Sequence, residues 1–472
     1  MANVVVIGGG LGGLSTAMLL ALDGHDVTVL ERDPAEPIDD PDEAWQAWQR
    51  RGVNQFRLPH FMLARWRELM EQELPGVVRA LETRGGLRWN GITELPAEMT
   101  GGWHDGDERR EVLTGRRPTL EATVAAAATD TYGVTIRRGV AVAGLLTGEP
   151  AANGTPHVVG VRTDDGEDVR ADLVVDSSGR RSPLPRWLAG IGARPPVEEL
   201  EDSGFVYYGR HFRSDDGSLP EALALPLVPH DSVSMLTLPA DNGTWSVTFI
   251  TNARDRELAA LRHPDKWHAA LARYPLAAHW AEGEPISDVD VMAKIEDRYR
   301  RFVVDGAPVA TGIVAVADAW ACTNPSLGRG VSLALMHAIC LRDLLREVSP
   351  AEPHKLAWRW DEVTETTLTP FYRSTLAYDR HRLGELDADR QGRRYETDDP
   401  NWAITRAFAK AAQADPDVLR GFLDIMSLFT LPEDALGVPG LFERVLELGG
   451  DGSEPTLAPG PERAELLAVL AE

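Results

Sequence analysis

The sequence predicts an α/β fold: a Rossmann-like dinucleotide-binding domain, an inserted antiparallel-sheet domain and a helical C-terminal region. Three observations support this prediction. Residues 4–32 have the order strand, glycine-rich turn, helix, strand. Between about 200 and 252, strand patterns follow one another without helices. After Pro353 the pattern is mostly helical to the end of the chain.

The glycine-rich turn directly follows the apolar strand 4–7 and opens a helix. We expect Gly8 to permit the tight turn, Gly10 to let a pyrophosphate approach the backbone, and Gly13 to let the helix pack closely on the strand. The start of the helix would offer free amides and a positive dipole end to the phosphates. The alternative is a glycine turn that binds nothing.

Glu31 ends the second strand, 27–30, and follows Gly13 at the distance typical of a ribose-binding acid. Its carboxylate can accept a hydrogen bond from a ribose hydroxyl. The segment therefore predicts a bound dinucleotide, without indicating which one.

Composition excludes several classes of protein. The chain has 472 residues, 43% of them hydrophobic, and a net charge of −25, which argues against nucleic acid or an anionic membrane as the main partner. Its two cysteines, Cys322 and Cys340, imply neither a disulfide framework nor a zinc site. The sequence has no signal peptide pattern and no run of about 18 apolar residues. We therefore expect a cytoplasmic protein with no metal.

The remaining elements follow in chain order. Residues 34–60 are predicted to form a loop with a helical piece near Trp45, and 86–110 a loop with short strands. Helices are expected at 61–74, 77–83, 117–129, 266–280 and 331–345, and strands at 133–138, 140–146, 158–161, 172–176, 205–212, 222–228, 233–238, 245–250 and 313–317. Asp241-Asn242-Gly243 predicts a hairpin.

A second motif lies far from the first. Asp318 follows the strand 313–317, and the loop Pro325-x-x-Gly328-x-Gly330 then opens a helix. Its glycines would let backbone amides approach a flat ring, and the helix dipole would stabilise negative charge on that ring. A reduced flavin carries such charge, whereas a nicotinamide dehydrogenase would leave this motif unexplained.

Four motifs, taken in order, resemble the single-component FAD-dependent monooxygenase family, which has the para-hydroxybenzoate-hydroxylase fold. They are Gly8/Gly10/Gly13 with Glu31, Arg117 with Leu120, Asp176 to Gly179, and Asp318 with Pro325, Gly328 and Gly330. Gln55-x-Arg57-x-x-His60 resembles a subgroup that includes bacterial polyketide epoxidases. The resemblance covers about residues 3–350. It implies an FAD domain of the glutathione-reductase type at 1–60, 111–190 and 298–350, a substrate domain at 61–110 and 191–297, and a helical region at 351–472.

The resemblance also implies the residues that hold non-covalent FAD. Glu31 and the glycines would bind the ADP half, Arg117 the pyrophosphate or ribityl region, and Asp318 a ribityl hydroxyl. The backbone of Val142 would face adenine, and Arg57 the far side of the flavin. The full set of expected cofactor contacts is Gly8, Gly10, Leu11, Gly12, Gly13, Glu31, Arg32, Arg57, Arg117, Val142, Asp318, Pro325, Gly328, Gly330 and Val331. No catalytic residue is assigned.

Two departures from the family pattern concern the flavin surroundings. The family usually has Gly-Asp-Ala-Ala-His, and this chain has Ala317-Asp318-Ala319-Trp320-Ala321. The family's Gly-Gln-Gly is here Gly328-Arg329-Gly330. The halogenase signature Trp-x-Trp-x-Ile-Pro is absent from the sequence, which argues against halogenation.

The implied activity is oxygenation of a small organic substrate with NAD(P)H and O2, through a hydroperoxide at flavin C4a, in a site kept dry. Hydroxylation, epoxidation, Baeyer–Villiger insertion and N-oxidation all remain open. The alternatives are a flavin reductase or dehydrogenase of the same fold and a non-catalytic flavin-binding protein. We expect His60 and His211 to be structural, and Tyr207, Tyr208, Trp245 and Phe249 to belong to the sheet core.

Overall fold

The computed structural model of the protein describes residues 1–50, 52–53, 55–151 and 154–472. Arg51 and Asn54, in the predicted loop 34–60, lie outside the described residues. The strands are β1 (Asn3–Ile7), β2 (Asp26–Glu31), β3 (Leu87–Trp89), β4 (Val112–Thr114), β5 (Val134–Arg138), β6 (Val142–Thr147), β7 (Val158–Thr163), β8 (Asp168–Arg170), β9 (Leu173–Asp176), β10 (Val197–Asp202), β11 (Phe205–Arg213), β12 (Leu227–Pro229), β13 (Ser234–Pro239), β14 (Thr244–Asn252), β15 (Glu284–Pro285), β16 (Asp290–Met292), β17 (Glu296–Arg301), β18 (Val303–Val304), β19 (Ala307–Pro308), β20 (Ile313–Ala315) and β21 (Ala321–Cys322).

The α-helices are α1 (Leu11–Leu22), α2 (Pro41–Ala47), α3 (Ala64–Glu73), α4 (Pro75–Thr83), α5 (Gly91–Glu94), α6 (Ala97–Thr100), α7 (Arg117–Thr129), α8 (Leu184–Gly190), α9 (Pro264–Leu271), α10 (Gly330–Glu347), α11 (Pro353–Thr367), α12 (Thr369–Arg390), α13 (Pro400–Ala411), α14 (Pro416–Met426), α15 (Pro432–Leu436), α16 (Leu441–Gly449) and α17 (Arg463–Ala471). Short 3-10 turns include Ala317–Ala319 and Pro325–Leu327.

A parallel sheet lies at the centre of the largest hydrophobic core, with strand order β20-β9-β1-β2-β5. Ile7 pairs with both Leu30 and Asp176, and Ala315 pairs with Asp176, so these strands end at one edge. Helices α1 and α10 pack together in the core beside this sheet. Ligands of doubly wound sheets bind beyond the carboxyl ends of such strands.

An antiparallel sheet has the order β12-β13-β14-β11-β15, and β16 also pairs with β11. On β14, Trp245, Val247 and Phe249 share one face and are buried in one cluster with Trp267 of α9 and Leu466 of α17. The predicted α/β fold class, with a parallel sheet core, an additional antiparallel sheet and a helical C-terminal region, is therefore confirmed.

Two predicted elements are shorter than expected because proline interrupts them. The strand predicted at 222–228 becomes regular only at Leu227, the first residue of β12, since Pro226 before it cannot donate a ladder hydrogen bond. The helix predicted at 266–280 ends at Leu271, because the ring of Pro275 would clash with the carbonyl four residues earlier.

The C-terminal helices divide between three cores. Helices α11 and α12 add Trp360, Tyr372 and Leu376 to the core of the parallel sheet. Helices α13 to α16 form a cluster of their own, and α17 returns to the antiparallel sheet. None of the helices in the described part of the chain combines the length and the apolar character needed to span a bilayer.

Candidate active site

One cavity of about 940 Å³ extends from the glycine turn, past the Asp318 loop, to the antiparallel sheet and the C-terminal helices. Its lining includes the ends of β1 and β2, the first turns of α1, α7 and α10, and residues of α13 and α14. The cavity therefore joins the two distant motifs of the sequence.

The glycine turn is tightly packed on one side and open on the other. Gly8 has φ +106°, and a Cβ there would lie 2.5 Å from the Ser177 carbonyl oxygen. A Cβ at Gly13 would lie 2.0 Å from the Gly8 carbonyl oxygen, so only glycine lets α1 approach β1 this closely. A Cβ at Gly10, by contrast, would meet no atom within 4 Å. Gly10 thus leaves an open cradle at the start of α1.

Glu31 ends β2 at the cavity wall and already accepts three hydrogen bonds. The donors are the backbone amides of Gly9 (2.7 Å) and Asp33 (2.8 Å) and Nη2 of Arg50 (3.1 Å). Arg50 is buried and also bonds Glu121 at 2.6 Å. Nothing in the sequence pattern of the polar segment 34–60 singles out Arg50, which only tertiary packing brings to the cavity.

Arg117 lies in the first turn of α7 and contacts both Glu121 and His60. Its Nε bonds Glu121 at 2.7 Å, and its Nη1 lies 3.2 Å from Nε2 of His60. Burial, and next the Arg117 charge, lowers the pKa of His60 to about 3, so the ring is neutral. Nδ1 of His60 therefore donates to the Leu58 carbonyl oxygen at 3.0 Å, and Nε2 accepts from Arg117.

The Asp318 loop has a strained start. Ala317 has φ +54°, a region that L-residues other than glycine seldom adopt. Its amide donates to Nδ1 of His337 at 3.2 Å, and Nε2 of the same ring lies 3.1 Å from the Thr364 hydroxyl. Burial lowers the pKa of His337 to about 3, so this neutral ring can accept from Ala317 and donate to Thr364. Burial raises the pKa of the Asp318 carboxyl, which faces the cavity.

The glycines of the following loop are arranged around the cavity, while Arg329 points away from it. Gly328 has φ +66°, and a Cβ at Gly330 would meet no atom within 4 Å. Arg329 is buried, donating from Nη1 to the Thr375 hydroxyl at 2.9 Å and from Nη2 to the Ile425 carbonyl at 3.2 Å. This departure from the family pattern thus fastens the loop to α12 and α14.

A hydrogen-bonded cluster lies behind the same loop. The Tyr207 hydroxyl donates to Oδ1 of Asn324 at 2.6 Å, and the Ser326 hydroxyl donates to Oδ1 of Asp379 at 2.8 Å. Nδ2 of Asn324 also donates to Asp379, at 3.2 Å. Tyr207 and Ser326 line the cavity. No motif in the sequence marks Asp379, which α12 supplies.

Beyond the loop the cavity becomes an apolar chamber. Its walls come from the sheet strands, from the segment 223–229 and from the C-terminal helices; they include Leu223, Leu225, Leu236, Leu238, Ala409, Phe422, Leu423 and Met426. Among the described lining residues, the acidic ones are Glu31 and Asp318, both on the cofactor side. The described residues contain no cluster of His, Cys, Asp or Glu suited to a metal ion.

Most residues predicted to contact the cofactor line this cavity, and two do not. Gly13 lies behind the turn, as described above. Arg57 packs over the Trp45 ring, 4.9 Å from its centroid, and donates to the Trp48 carbonyl at 2.8 Å. Tyr207 faces the cavity, whereas Tyr208 is buried in the sheet core with Trp245 and Phe249. His211 is buried and does not line the cavity. Its ring centroid lies 4.6 Å from that of Trp45.

Comparison with known proteins agrees with the fold. The family model "FAD dependent oxidoreductase" matches residues 3–38. A Mycobacterium tuberculosis protein, Rv3254, is 28% identical over 458 residues, which are 90% of this chain and 89% of that protein.

Two solved structures extend the likeness to three dimensions. A flavoprotein/dehydrogenase from Cytophaga hutchinsonii has a TM-score of 0.62 at 17% identity and covers 96% of this chain and 100% of its own. PqsL of Pseudomonas aeruginosa, described as a probable FAD-dependent monooxygenase, has a TM-score of 0.58 at 15% identity. The match covers 82% of this chain and 98% of PqsL. The resemblance predicted from the sequence is therefore confirmed for the fold, and the N-terminal segment matches the model of the FAD-dependent oxidoreductase family.

Proposed function

We propose that this chain, which has the fold of flavoprotein monooxygenases, uses FAD, NAD(P)H and O2 to hydroxylate or epoxidise an organic molecule. The observation that carries the proposal is the single cavity that joins the glycine turn and Glu31 to the Asp318–Gly330 loop and continues into the apolar chamber. FAD and its substrate could then lie end to end in one continuous cavity.

The residues present fit FAD. The open cradle at Gly10, the start of α1 and the carboxylate of Glu31 suit a pyrophosphate and a ribose. Arg117 adds positive charge beside them. The empty space in front of Gly330 and the free amides of α10 suit the edge of a flat ring. When bound there, FAD would supply the redox chemistry.

The protein's own residues would bind, orient and exclude water. Each turnover adds one oxygen atom of O2 to the substrate and reduces the other to water, with a hydride from NAD(P)H and one proton. Apolar walls from α14 and β13 keep water away from this step. Because the chamber wall is mostly apolar and carries no acidic side chain among its described residues, we infer a largely apolar substrate that is not a cation.

The proposal predicts a yellow protein with one FAD per chain. NAD(P)H oxidation, O2 uptake and peroxide are measured together, with and without candidate apolar substrates. A monooxygenase consumes O2, and its peroxide yield falls when the correct substrate is added. Release of NAD without flavin on denaturation would refute the cofactor assignment. Oxidation of NAD(P)H with an organic acceptor and no O2 uptake would instead favour the reductase alternative.

A further inference from the structure

We propose that Asp379 is the acid that delivers a proton to the reacting end of the cavity, through the hydroxyl of Ser326. The inference rests on the proposed function and adds to it a proton-donating residue. Its basis is the placement of a buried carboxyl group of α12 in direct hydrogen-bond contact with a cavity-lining hydroxyl of the flavin loop.

Asp379 is only 2% exposed, and its two carboxyl oxygens have different surroundings. Oδ1 accepts from Ser326 and Asn324, whereas Oδ2 is buried with no hydrogen-bond partner among the described residues. A buried carboxylate oxygen without a partner is unfavourable, and neutralisation by a proton removes most of that cost. The geometry therefore favours the protonated acid.

The charges around Asp379 support the same protonation state. Burial raises the pKa of Asp379 to about 7, the Ser326 and Asn324 hydrogen bonds oppose this shift, and Asp297 of β17 adds to it. Arg329 is the cation nearby, and its opposing effect is small. Tyr207 of β11 and Tyr378 of α12 also face the site, and burial raises the pKa of each above 10, so both stay neutral.

The proton path is short. Delivery requires the proton of Asp379 to sit on Oδ1, which then donates to Ser326 Oγ across the same 2.8 Å, while the Ser326 hydroxyl turns from Asp379 towards the cavity. The O–H bond at Asp379 Oδ1 breaks as an O–H bond forms at Ser326 Oγ, and Ser326 passes its own proton to the acceptor in the cavity. Solvent then returns a proton to the carboxylate. The overall reaction consumes one such proton per turnover, and so does its uncoupled form, in which NAD(P)H, H⁺ and O2 give NAD(P)⁺ and hydrogen peroxide. The step can therefore be tested before the substrate is known.

A purely structural role would also explain the Asp379 contacts, since they join α12 to the loop. Asp379→Asn separates the two roles, because an amide oxygen still accepts from Ser326 and Asn324 while the group cannot titrate. Ser326→Ala keeps the acid and breaks the path. Asp387→Asn, on the same helix, is the control, because the hydrogen-bond partners of Asp387 do not line the cavity; they are Asn252, Arg390 and Gln391.

The experiment follows peroxide-forming NAD(P)H oxidation by the FAD-loaded protein between pH 5 and 9. We expect the wild-type rate to fall as pH rises through about 7, the pKa of Asp379. Asp379→Asn and Ser326→Ala should be roughly 10- to 100-fold slower below that pH, and their rates should no longer fall as pH rises through it. Asp387→Asn should keep this falling limb of the pH–rate profile.

Infrared spectroscopy provides a readout that needs no turnover. Other buried acids, Asp290 and Asp297 among them, also have a raised pKa, so the band of Asp379 is isolated as the difference between the wild-type and Asp379→Asn spectra. The carbonyl stretch in this difference should titrate away near neutral pH, and Ser326→Ala should keep the same band. If Asp379→Asn binds FAD and keeps both the pH limb and the infrared band, the inference is wrong and the proposed function stands. If the wild type binds no flavin and consumes no O2, the proposed function fails and proton delivery fails with it.

Discussion

Gly330 opens α10 at the cavity, where a Cβ would meet no atom of the protein within 4 Å. The chain itself can therefore accommodate a side chain there, and under the proposed function a valine would displace the flavin ring. Gly330→Val should fold normally and bind FAD at least about tenfold more weakly, a loss of about 1.4 kcal/mol. The measurement is FAD affinity by quenching of flavin fluorescence.

Gly76 is the matched control for Gly330. It also lies in the first turn of a helix, α4, and its Cβ position is free of contacts within 4 Å, but it is exposed and outside the cavity lining. Gly76→Val carries the same helix-propensity cost and should leave FAD affinity unchanged. Equal affinity in wild type and Gly330→Val would show that α10 does not abut the ring.

At the scale of single residues, the sequence predicted the positions whose spacing is set by local backbone conformation. The positions of Gly8 and Gly13 at the turn, and of Asp318 after its strand, follow from such spacing. Arg50 and Asp379 could not be found in this way. Arg50 lines the cavity, and Asp379 contacts its wall through Ser326. Both come from segments without a motif, through packing between elements distant in the chain.

At the scale of elements, apolar periodicity predicted the parallel strands and the long helices, because burial on one or both faces determines their pattern. It did not predict that α14 would form a wall of the chamber. An amphipathic stripe shows that a helix face is covered, but not which surface covers it. The prolines that shorten β12 and α9 were visible in the sequence, yet the strand and helix patterns around them continue.

The contact between α7 and the β13–β14 hairpin is the junction we expect to matter most for stability. Arg116 precedes α7, and its Nη2 bonds Oδ2 of Asp241, in the hairpin turn, at 2.7 Å. Both side chains are fully buried. Asp241→Ala leaves the guanidinium with Asp42 as its remaining acidic partner, so the free energy of unfolding should fall by about 3–5 kcal/mol.

Urea unfolding followed by circular dichroism measures this change. The control is Glu167→Ala, which removes the partner of Arg137 in a pair whose side chains are 33% and 47% exposed. That exposed pair should contribute less than about 1 kcal/mol. Similar losses in the two variants would mean that the buried pair does not stabilise the junction.

For the whole molecule, buried histidines couple stability to pH. Burial lowers the pKa of His60, His211 and His337 from 6.5 to about 3, and that of His230 to about 4. The native rings stay neutral, whereas the unfolded chain gains protons as pH falls below 6.5. Their contribution to stability is therefore complete above 6.5 and decreases as pH falls towards 3–4. Buried acids such as Asp379 act in the opposite sense, so a single histidine must be tested by difference.

His211 allows that difference measurement, because its buried Nδ1 has no hydrogen-bond partner among the described residues and its ring packs against Trp45. Phenylalanine can replace the ring without leaving a partner unpaired. One unit below pH 6.5, the unfolded His211 has gained nearly a full proton, worth about 1.4 kcal/mol. Between pH 7.5 and 5.5, the loss of unfolding free energy in His211→Phe should therefore be smaller than in wild type by about 1.4 kcal/mol, as measured by urea unfolding at both pH values.

His104→Phe, at an exposed position, should lose as much as wild type. If His211→Phe also loses as much as wild type, the His211 ring is protonated in the native protein and its burial is not what couples stability to pH.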